Sequence, residues 1–107
     1  MKVFRIDDMF KGWFIGDFEP SVYKTKNFEV GYHKHTKGEP TQNHYHKESI
    51  EFNVIIKGKM KINGQVLNKD DIFVFNPYEV SEGEFLEDTE LIVVRNASNT
   101  EDKYNAE

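Results

Sequence analysis

Two histidines separated by one residue, His44 and His46, are followed after four further residues by an acid, Glu51. On a strand both imidazoles would point to the same face, because side chains alternate with a period of two. Two imidazoles and one carboxylate suit Fe, Mn, Ni or Zn and leave positions open for water or substrate. The spacing therefore predicts a site for one divalent metal ion. Such an ion could polarise a carbonyl group or lower the pKa of bound water.

Composition restricts the ligands and the partners. The chain has 107 residues and no cysteine, which excludes thiolate ligands and disulfides. The formal net charge of −5 argues against a nucleic-acid partner, whose phosphates need a basic surface. No stretch approaches the roughly 20 apolar residues of a membrane span, and the N-terminus lacks the apolar run of a signal peptide. We therefore predict a cytoplasmic protein without a nucleic-acid or membrane partner.

The elements that must position these residues read as strands. Short β-rich runs alternate with turn signals, and no window of helical length has an apolar period of 3.6. Asn63-Gly64 between two such runs predicts a tight hairpin, since both residues accept a positive φ. Ile72 to Phe75 is a continuous apolar run, which indicates a buried strand. The pattern predicts an all-β sandwich or barrel, one domain over residues 1–107.

The two ends of the chain differ in character. Residues 1–20 form an aromatic N-terminal arm, in which Trp13 and Phe18 either close one end of the core or form an exposed edge that binds a partner. Residues 97–107 form a polar tail, expected to be ordered only where it packs on a partner. Uncovered strand edges and the apolar arm together predict a homodimer.

The spacing of the histidines resembles the first motif of the cupin superfamily. That motif reads Gly, five residues, His-x-His, three or four residues, Glu, six residues, Gly. Here Gly38 precedes His44 by five intervening residues, and six residues separate Glu51 from Gly58. The resemblance implies a double-stranded β-helix, or jelly-roll, barrel with one metal ion on the histidines and Glu51.

The second motif of that family is degraded in this chain. Pro77 is kept, but Glu82 stands where the family has a fourth ligand, a histidine. Glu82 is therefore expected either as a fourth, carboxylate ligand or as a solvated surface acid. A slip of one residue would instead bring Ser81 to the inward position, because a change of one residue in register reverses the faces of a strand.

The walls of the site are predicted from strand alternation. The pocket residues expected are Tyr45, Asn53, Phe75 and Tyr78. Two apolar sets are taken to face the core: Phe52, Val54 and Ile56 on one strand, and Phe28, Val30 and Tyr32 on an earlier one. His33 would then point outward as a surface residue, while His35 could reach the mouth of the site.

Two functions remain open. The cupin resemblance implies activities that range from dioxygenases and isomerases to non-catalytic sugar binding, and fold alone does not choose among them. The first hypothesis is a metal-dependent enzyme of isomerase or dioxygenase type that acts on a small polar metabolite. The alternative is a non-catalytic domain that binds a metal or a small ligand such as a sugar. No catalytic residue is assigned from the sequence.

Overall fold

The computed structural model describes residues 1–106 and confirms the all-β prediction. Within this range the chain forms one short 3₁₀ turn, Ile6–Asp8, and ten strands. The strands are β1 (Trp13–Ile15), β2 (Glu29–His35), β3 (His44–Tyr45), β4 (Ile50–Lys57), β5 (Lys59–Ile62), β6 (Gln65–Asn68), β7 (Ile72–Phe75), β8 (Gly83–Phe85), β9 (Thr89–Asn96) and β10 (Tyr104–Asn105). In residues 1–106, no helix is long and apolar enough to cross a membrane.

The strands of residues 1–106 form three antiparallel sheets. The largest has the order β1-β2-β9-β4-β7, a second has the order β6-β5-β8, and β10 pairs with β3. The predicted hairpin is confirmed, since β5 and β6 are joined by Asn63 and Gly64 with φ angles of 47° and 81°. The central strand β9 pairs with β2 and β4, so residues far apart in sequence become neighbours on its two sides.

The core lies between the large sheet and the three-stranded sheet. Its fully buried members are apolar side chains from both: Ile55, Met60, Ile62, Phe75, Phe85, Leu91 and Val93. Trp13 of the N-terminal arm packs against this cluster, in line with one of the two roles predicted for it. Each such side chain contributes about 1.5–3 kcal/mol by leaving water.

The outer face of the large sheet is also apolar, which corrects the predicted facing of two strands. Inward positions on β4 are Glu51, Asn53 and Ile55, whereas Phe52 and Ile56 lie outside, 39% and 40% exposed. On β2 the side chains that face inward are those of Glu29, His33 and His35, together with Gly31. Val30 and Tyr32 alternate to the outer face, and Phe28 lies just before the strand. Since both faces of this sheet carry apolar residues, alternation alone does not identify the inner one.

The polar C-terminal tail packs on its own domain, contrary to the expectation that it would need a partner. Strand β10 pairs with β3, opposite Tyr45 and His44. Ser98 and Asp102 are buried, at 6% and 2% exposure. The tail therefore lies directly over the segment that carries the two histidines.

Candidate metal centre

The fold brings together the three residues that the sequence spacing singled out. His44 begins β3, His46 directly follows it, and Glu51 is the second residue of β4. One candidate ligand atom from each residue lies within 4.8 Å of the others. His46 and Glu51 are buried and His44 is half-buried, so this group could hold a metal ion at the border between core and solvent.

Both imidazoles are fixed with the same nitrogen turned away from the group. Nδ1 of His44 bonds the Gln42 carbonyl oxygen at 3.1 Å, and Nδ1 of His46 bonds the Asp102 carbonyl oxygen. A carbonyl oxygen only accepts, so each Nδ1 carries the hydrogen and each Nε2 keeps its lone pair. Nε2 of His46 is buried, has no hydrogen-bond partner among residues 1–106, and lies 3.6 Å from Oε1 of Glu51. Backbone carbonyls orient metal-binding histidines in this manner, so the donor set fits a divalent ion.

The carboxylate of Glu51 is held by two neighbours. Arg95 Nε donates to Oε1 at 3.0 Å, and Asn53 Nδ2 donates to Oε2 at 3.3 Å. A carboxylate has about four acceptor positions, so lone pairs remain on both oxygens for an ion. Arg95 also donates from Nη1 to Glu29 at 3.1 Å and lies 4.8 Å from the Trp13 ring centre. One guanidinium therefore balances two buried acids.

The ionisation of the group suits a metal ligand set. Burial lowers the pKa of His44 below its usual range, which favours the neutral imidazole that binds metals. For Glu51, burial opposes ionisation, but the Arg95 guanidinium and the Asn53 amide stabilise the carboxylate, and its pKa is lowered to about 2. Around neutral pH, His44 is therefore neutral and Glu51 charged.

His44 and Glu51 form part of the wall of an open cavity of about 770 Å³. Its apolar floor is made by Met60, Ile62, Phe73, Phe85, Leu91 and Val93. Polar side chains line the remainder, including Asn53, His35 and Arg95. A cavity of this size and mixed lining is typical of a small-molecule site.

Of the four predicted pocket residues, one lines this cavity. Asn53 does so, whereas Phe75 belongs to the buried core and Phe73 takes its place in the wall. Tyr45 lies between the two histidines on β3 and faces the other way, because alternation sends the middle residue of His-x-His to the opposite side. It stacks on Tyr78 and on Tyr104, with ring centres 6.1 and 5.5 Å apart.

Glu82 does not reach the group, which corrects its predicted placement as a fourth ligand. Ser81 pairs with His44 through two backbone hydrogen bonds, of 2.8 and 3.3 Å, so their side chains share one face. The next residue must then face the opposite way. Glu82 is exposed, and its backbone N–H donates to Oδ1 of Asn63 at 2.8 Å. The one-residue slip weighed from sequence is thus the arrangement found, and Ser81 lines the cavity.

Two further histidines line the cavity, although His33 was predicted to face solvent. His33 packs against Trp13, with ring centres 4.6 Å apart, and its buried Nε2 finds no hydrogen-bond partner in the described part of the chain. His35 stacks on Phe85 at 4.2 Å, and its Nδ1 lies 3.2 Å from Oε2 of Glu39. The repeated His-x-His was the signal in the sequence, and its facing was misjudged because β2 is apolar on its outer side.

Comparisons with known proteins identify the fold. No protein-family model matches this chain, and no curated protein matches it. Among solved structures, it is similar to an uncharacterized conserved protein with a double-stranded β-helix domain from Klebsiella pneumoniae, with 19% identity, a TM-score of 0.71, and coverage of 100% of this chain and 98% of that one. KdgF from Halomonas sp. is similar with 18% identity, a TM-score of 0.66, and coverage of 71% and 74%.

A sugar phosphate isomerase of the cupin superfamily from Silicibacter pomeroyi is similar with 19% identity and a TM-score of 0.62. The match covers 76% of this chain but only 57% of that protein. These likenesses agree with the antiparallel sheets of this chain. The chain therefore has a double-stranded β-helix fold.

Proposed function

We propose that the chain binds one divalent metal ion through His44, His46 and Glu51 and acts as a metal-dependent enzyme on a small polar molecule. One observation carries the proposal. Two imidazoles have their Nδ1 atoms committed to backbone carbonyls, which leaves both Nε2 atoms for an ion beside a buried carboxylate at the wall of an open cavity. Mn, Fe, Ni and Zn all suit this donor set.

The side chains around the cavity would supply binding and proton transfer. A bound ion would act as a Lewis acid on a substrate oxygen. His35, held by Glu39, offers an imidazole that can give or take a proton, and Asn53 offers an amide beside Glu51. The apolar floor would keep water from one side of a small substrate. Chemistry of the isomerase type needs a proton shuttle of this kind, and one similar structure is a sugar phosphate isomerase.

A second candidate is a non-catalytic domain that binds a metal or a small ligand such as a sugar. The observation that favours it is the state of Arg95. This guanidinium is committed to Glu29 and Glu51, so it is not free to hold an anionic substrate. Binding without turnover would then depend on the metal ion and on neutral polar contacts.

Metal content tests the first part of the proposal. The purified protein should contain about one equivalent of a transition metal by elemental analysis. His44→Ala, His46→Ala and Glu51→Gln should each lower this content strongly, since each removes one of three donors. His35→Ala is the matched control, because it removes a cavity imidazole outside the group. Full metal content in the double variant His44→Ala/His46→Ala would reject the centre.

Substrate screening on the metal-loaded protein then separates the two functions. Small sugars, sugar phosphates and keto acids would be tested for turnover and, in parallel, for a rise in melting temperature. Turnover that is lost in His35→Gln, with the metal content unchanged, supports the enzyme. Thermal stabilisation by a ligand without turnover supports the binding domain.

We also propose that the protein forms a homodimer and works in the cytoplasm, as the sequence predicts. The outer face of the large sheet supports the dimer. Its exposed apolar side chains include Phe52, Ile72 and Val74, and β7, which carries the last two, is an edge strand. A largely apolar face complements its own copy under two-fold symmetry.

A further inference from the structure

The carboxylate of Asp102 organises the segment that joins two of the candidate ligands. Its Oδ1 accepts the backbone N–H of Lys47 at 2.9 Å, and its Oδ2 accepts those of Glu48 and Ser49 at 3.1 and 2.9 Å. These three residues lie between His46 and the start of β4. A single side chain therefore fixes the turn that sets the separation of His46 and Glu51.

The main chain of the same residue fixes the imidazole itself. The Asp102 carbonyl oxygen accepts the hydrogen of His46 Nδ1 across 56 residues of sequence. Since this bond determines which nitrogen carries the hydrogen, it also determines that Nε2 presents its lone pair. Asp102 thus acts on one ligand directly, and on the turn between that ligand and the next.

The burial of Asp102 indicates that its negative charge stabilises the turn formed by residues 47–49. The residue is only 2% exposed, and among residues 1–106 no Lys or Arg nitrogen lies within salt-bridge distance of its carboxylate. Its charge is compensated by three converging N–H groups, an arrangement typical of a backbone anion nest. The tail has a separate attachment through β10 and β3, so docking of the tail does not require this acid.

We propose that Asp102 is a positioning residue, which sets the ring orientation of His46 and the turn between His46 and Glu51 in advance of metal binding. The proposal rests on the proposed metal centre for its purpose, but the contacts that carry it join only residues of this chain. Groups that orient metal ligands through one intervening contact typically change metal affinity by about 10–100-fold.

The test compares Asp102→Ala and Asp102→Asn with Glu101→Ala in the full chain. Glu101 is the exposed neighbouring acid and serves as the control. Isothermal titration with Zn²⁺ should show affinity about 10–100-fold weaker in Asp102→Ala than in the wild type. Asp102→Asn keeps one acceptor oxygen, so its Zn²⁺ affinity should lie between those of Asp102→Ala and the wild type. The affinity of Glu101→Ala should match that of the wild type.

Two measurements on metal-free protein decide the positioning separately from the metal centre. Amide hydrogen exchange at residues 47–49 should accelerate at least about tenfold in Asp102→Ala and less in Asp102→Asn. Asp102→Ala keeps the backbone carbonyl of residue 102 but removes the carboxylate that ties it to residues 47–49. Imidazole nitrogen NMR should therefore show His46 as the single Nδ1–H tautomer in the wild type, with the other tautomer gaining population in Asp102→Ala as that carbonyl shifts. Exchange rates and tautomers unchanged in both variants would overturn the proposal. Absence of Zn²⁺ binding by the wild type would overturn the proposed function alone, and Asp102→Asn decides the positioning if the alanine variant does not fold.

Discussion

At the scale of single residues, His33 is a largely buried imidazole whose surroundings shift its protonation. Its ring packs on Trp13, and its Nε2 has no hydrogen-bond partner within residues 1–106. Burial, together with the neighbouring charges of His35 and Arg95, lowers its pKa from 6.5 to about 4. The folded protein therefore keeps this imidazole neutral at pH values where the unfolded chain protonates it.

This difference predicts a loss of stability in mild acid. Above pH 6.5 neither state binds the proton, so His33 has no effect. As the pH falls from 6.5 to about 4, the unfolded state binds it first, and the free energy of unfolding should decrease by up to about 3 kcal/mol. Urea denaturation of metal-free protein between pH 7 and 4.5 measures the slope, which should be shallower in His33→Gln.

Acidic side chains affect the free energy of unfolding in a lower pH range than His33 does. The two contributions can therefore be measured separately. The pKa of Glu51 is lowered to about 2, so its contribution to stability is present above pH 4.5 and is lost as the pH falls toward 2. The slope between pH 6.5 and 4.5 therefore reports on imidazoles. Equal slopes for the wild type and His33→Gln would show that His33 titrates as an exposed histidine.

The exposed position of Glu82 predicts that it has no part in metal binding. Glu82→Ala and Glu82→His should leave the affinities for Mn, Fe(II), Ni and Zn within about twofold of the wild type, since the side chain faces away from His44. The free energy of unfolding should change by no more than about 0.5 kcal/mol, as at other exposed positions. Competition titrations measure the ranking. A shift toward Ni or Zn in Glu82→His would place residue 82 at the ion.

The sequence predicted the three clustered residues but not the groups that hold them. Spacing within one strand and its neighbour is local, so His44, His46 and Glu51 could be placed on a common face from alternation alone. Arg95 and Asp102 act across 44 and 56 residues, and no local pattern predicts which distant residue meets which strand. The placement of Glu82 could not be predicted for a different reason. A shift of one residue decides on which face of the strand Glu82 lies, and the spacing of the motif does not fix that register.

At the scale of elements, two glycines at the ends of β5 show how turns limit substitution. Gly64, in the hairpin, has a φ of 81° and open space around an added Cβ. Gly58, between β4 and β5, has a φ of 97°, and an added Cβ would collide with the carbonyl oxygen of Asp88 and lie 2.6 Å from Oγ1 of Thr89. Substitution at Gly64 is therefore restricted by the backbone conformation alone. Substitution at Gly58 is restricted by the backbone conformation and by the neighbouring atoms.

Alanine at these glycines should therefore have graded effects. Gly64→Ala should lower the free energy of unfolding by about 1 kcal/mol, through the positive φ. Gly58→Ala should lower it by about 2–4 kcal/mol, because overpacking adds about 1–3 kcal/mol. Urea denaturation at pH 7 measures both. Equal losses would mean that the Asp88 turn moves aside without cost.

The positions of the strands could be predicted where the sequence signals for the flanking turns were strong. Which face of each strand lies inside could not be predicted. Asn63-Gly64 marked a hairpin whose register the structure confirms. For β2 and β4, apolar residues at alternate positions were assigned to the core, but they form the outer face. The polar set that looked like a surface, with Glu29 paired to Arg95, lies inside because the two charges neutralise each other there.

At the scale of the whole molecule, the outer face of the large sheet predicts association. Two cross-strand rows of apolar residues run over four strands, Val30-Val94-Phe52-Val74 and Tyr32-Ile92-Val54-Ile72. Ile72 is 70% exposed. Rows without a charged member favour contact with an equal face, because neither copy then buries an unpaired charge.

Sedimentation equilibrium at micromolar concentration should give the mass of a dimer. Ile72→Lys should weaken the dimer at least about tenfold, since it places a charge in the apolar face. Val66→Lys is the matched control, because Val66 is also exposed but belongs to β6 in the other sheet. A monomeric wild type, or equal weakening by both changes, would contradict this face as the interface.

The contact of Asp102 with His46 also has a consequence for the order of events during synthesis. The ribosome makes the chain from its N-terminus, so His46 and the turn that follows it emerge well before the residue that orients them. A nascent chain that ends before residue 102 would carry the three candidate donors without the carbonyl that orients His46 and the carboxylate that fixes the turn. If the proposed centre holds an ion, metal loading would follow translation of the tail rather than accompany it, and stalled chains would bind the ion weakly.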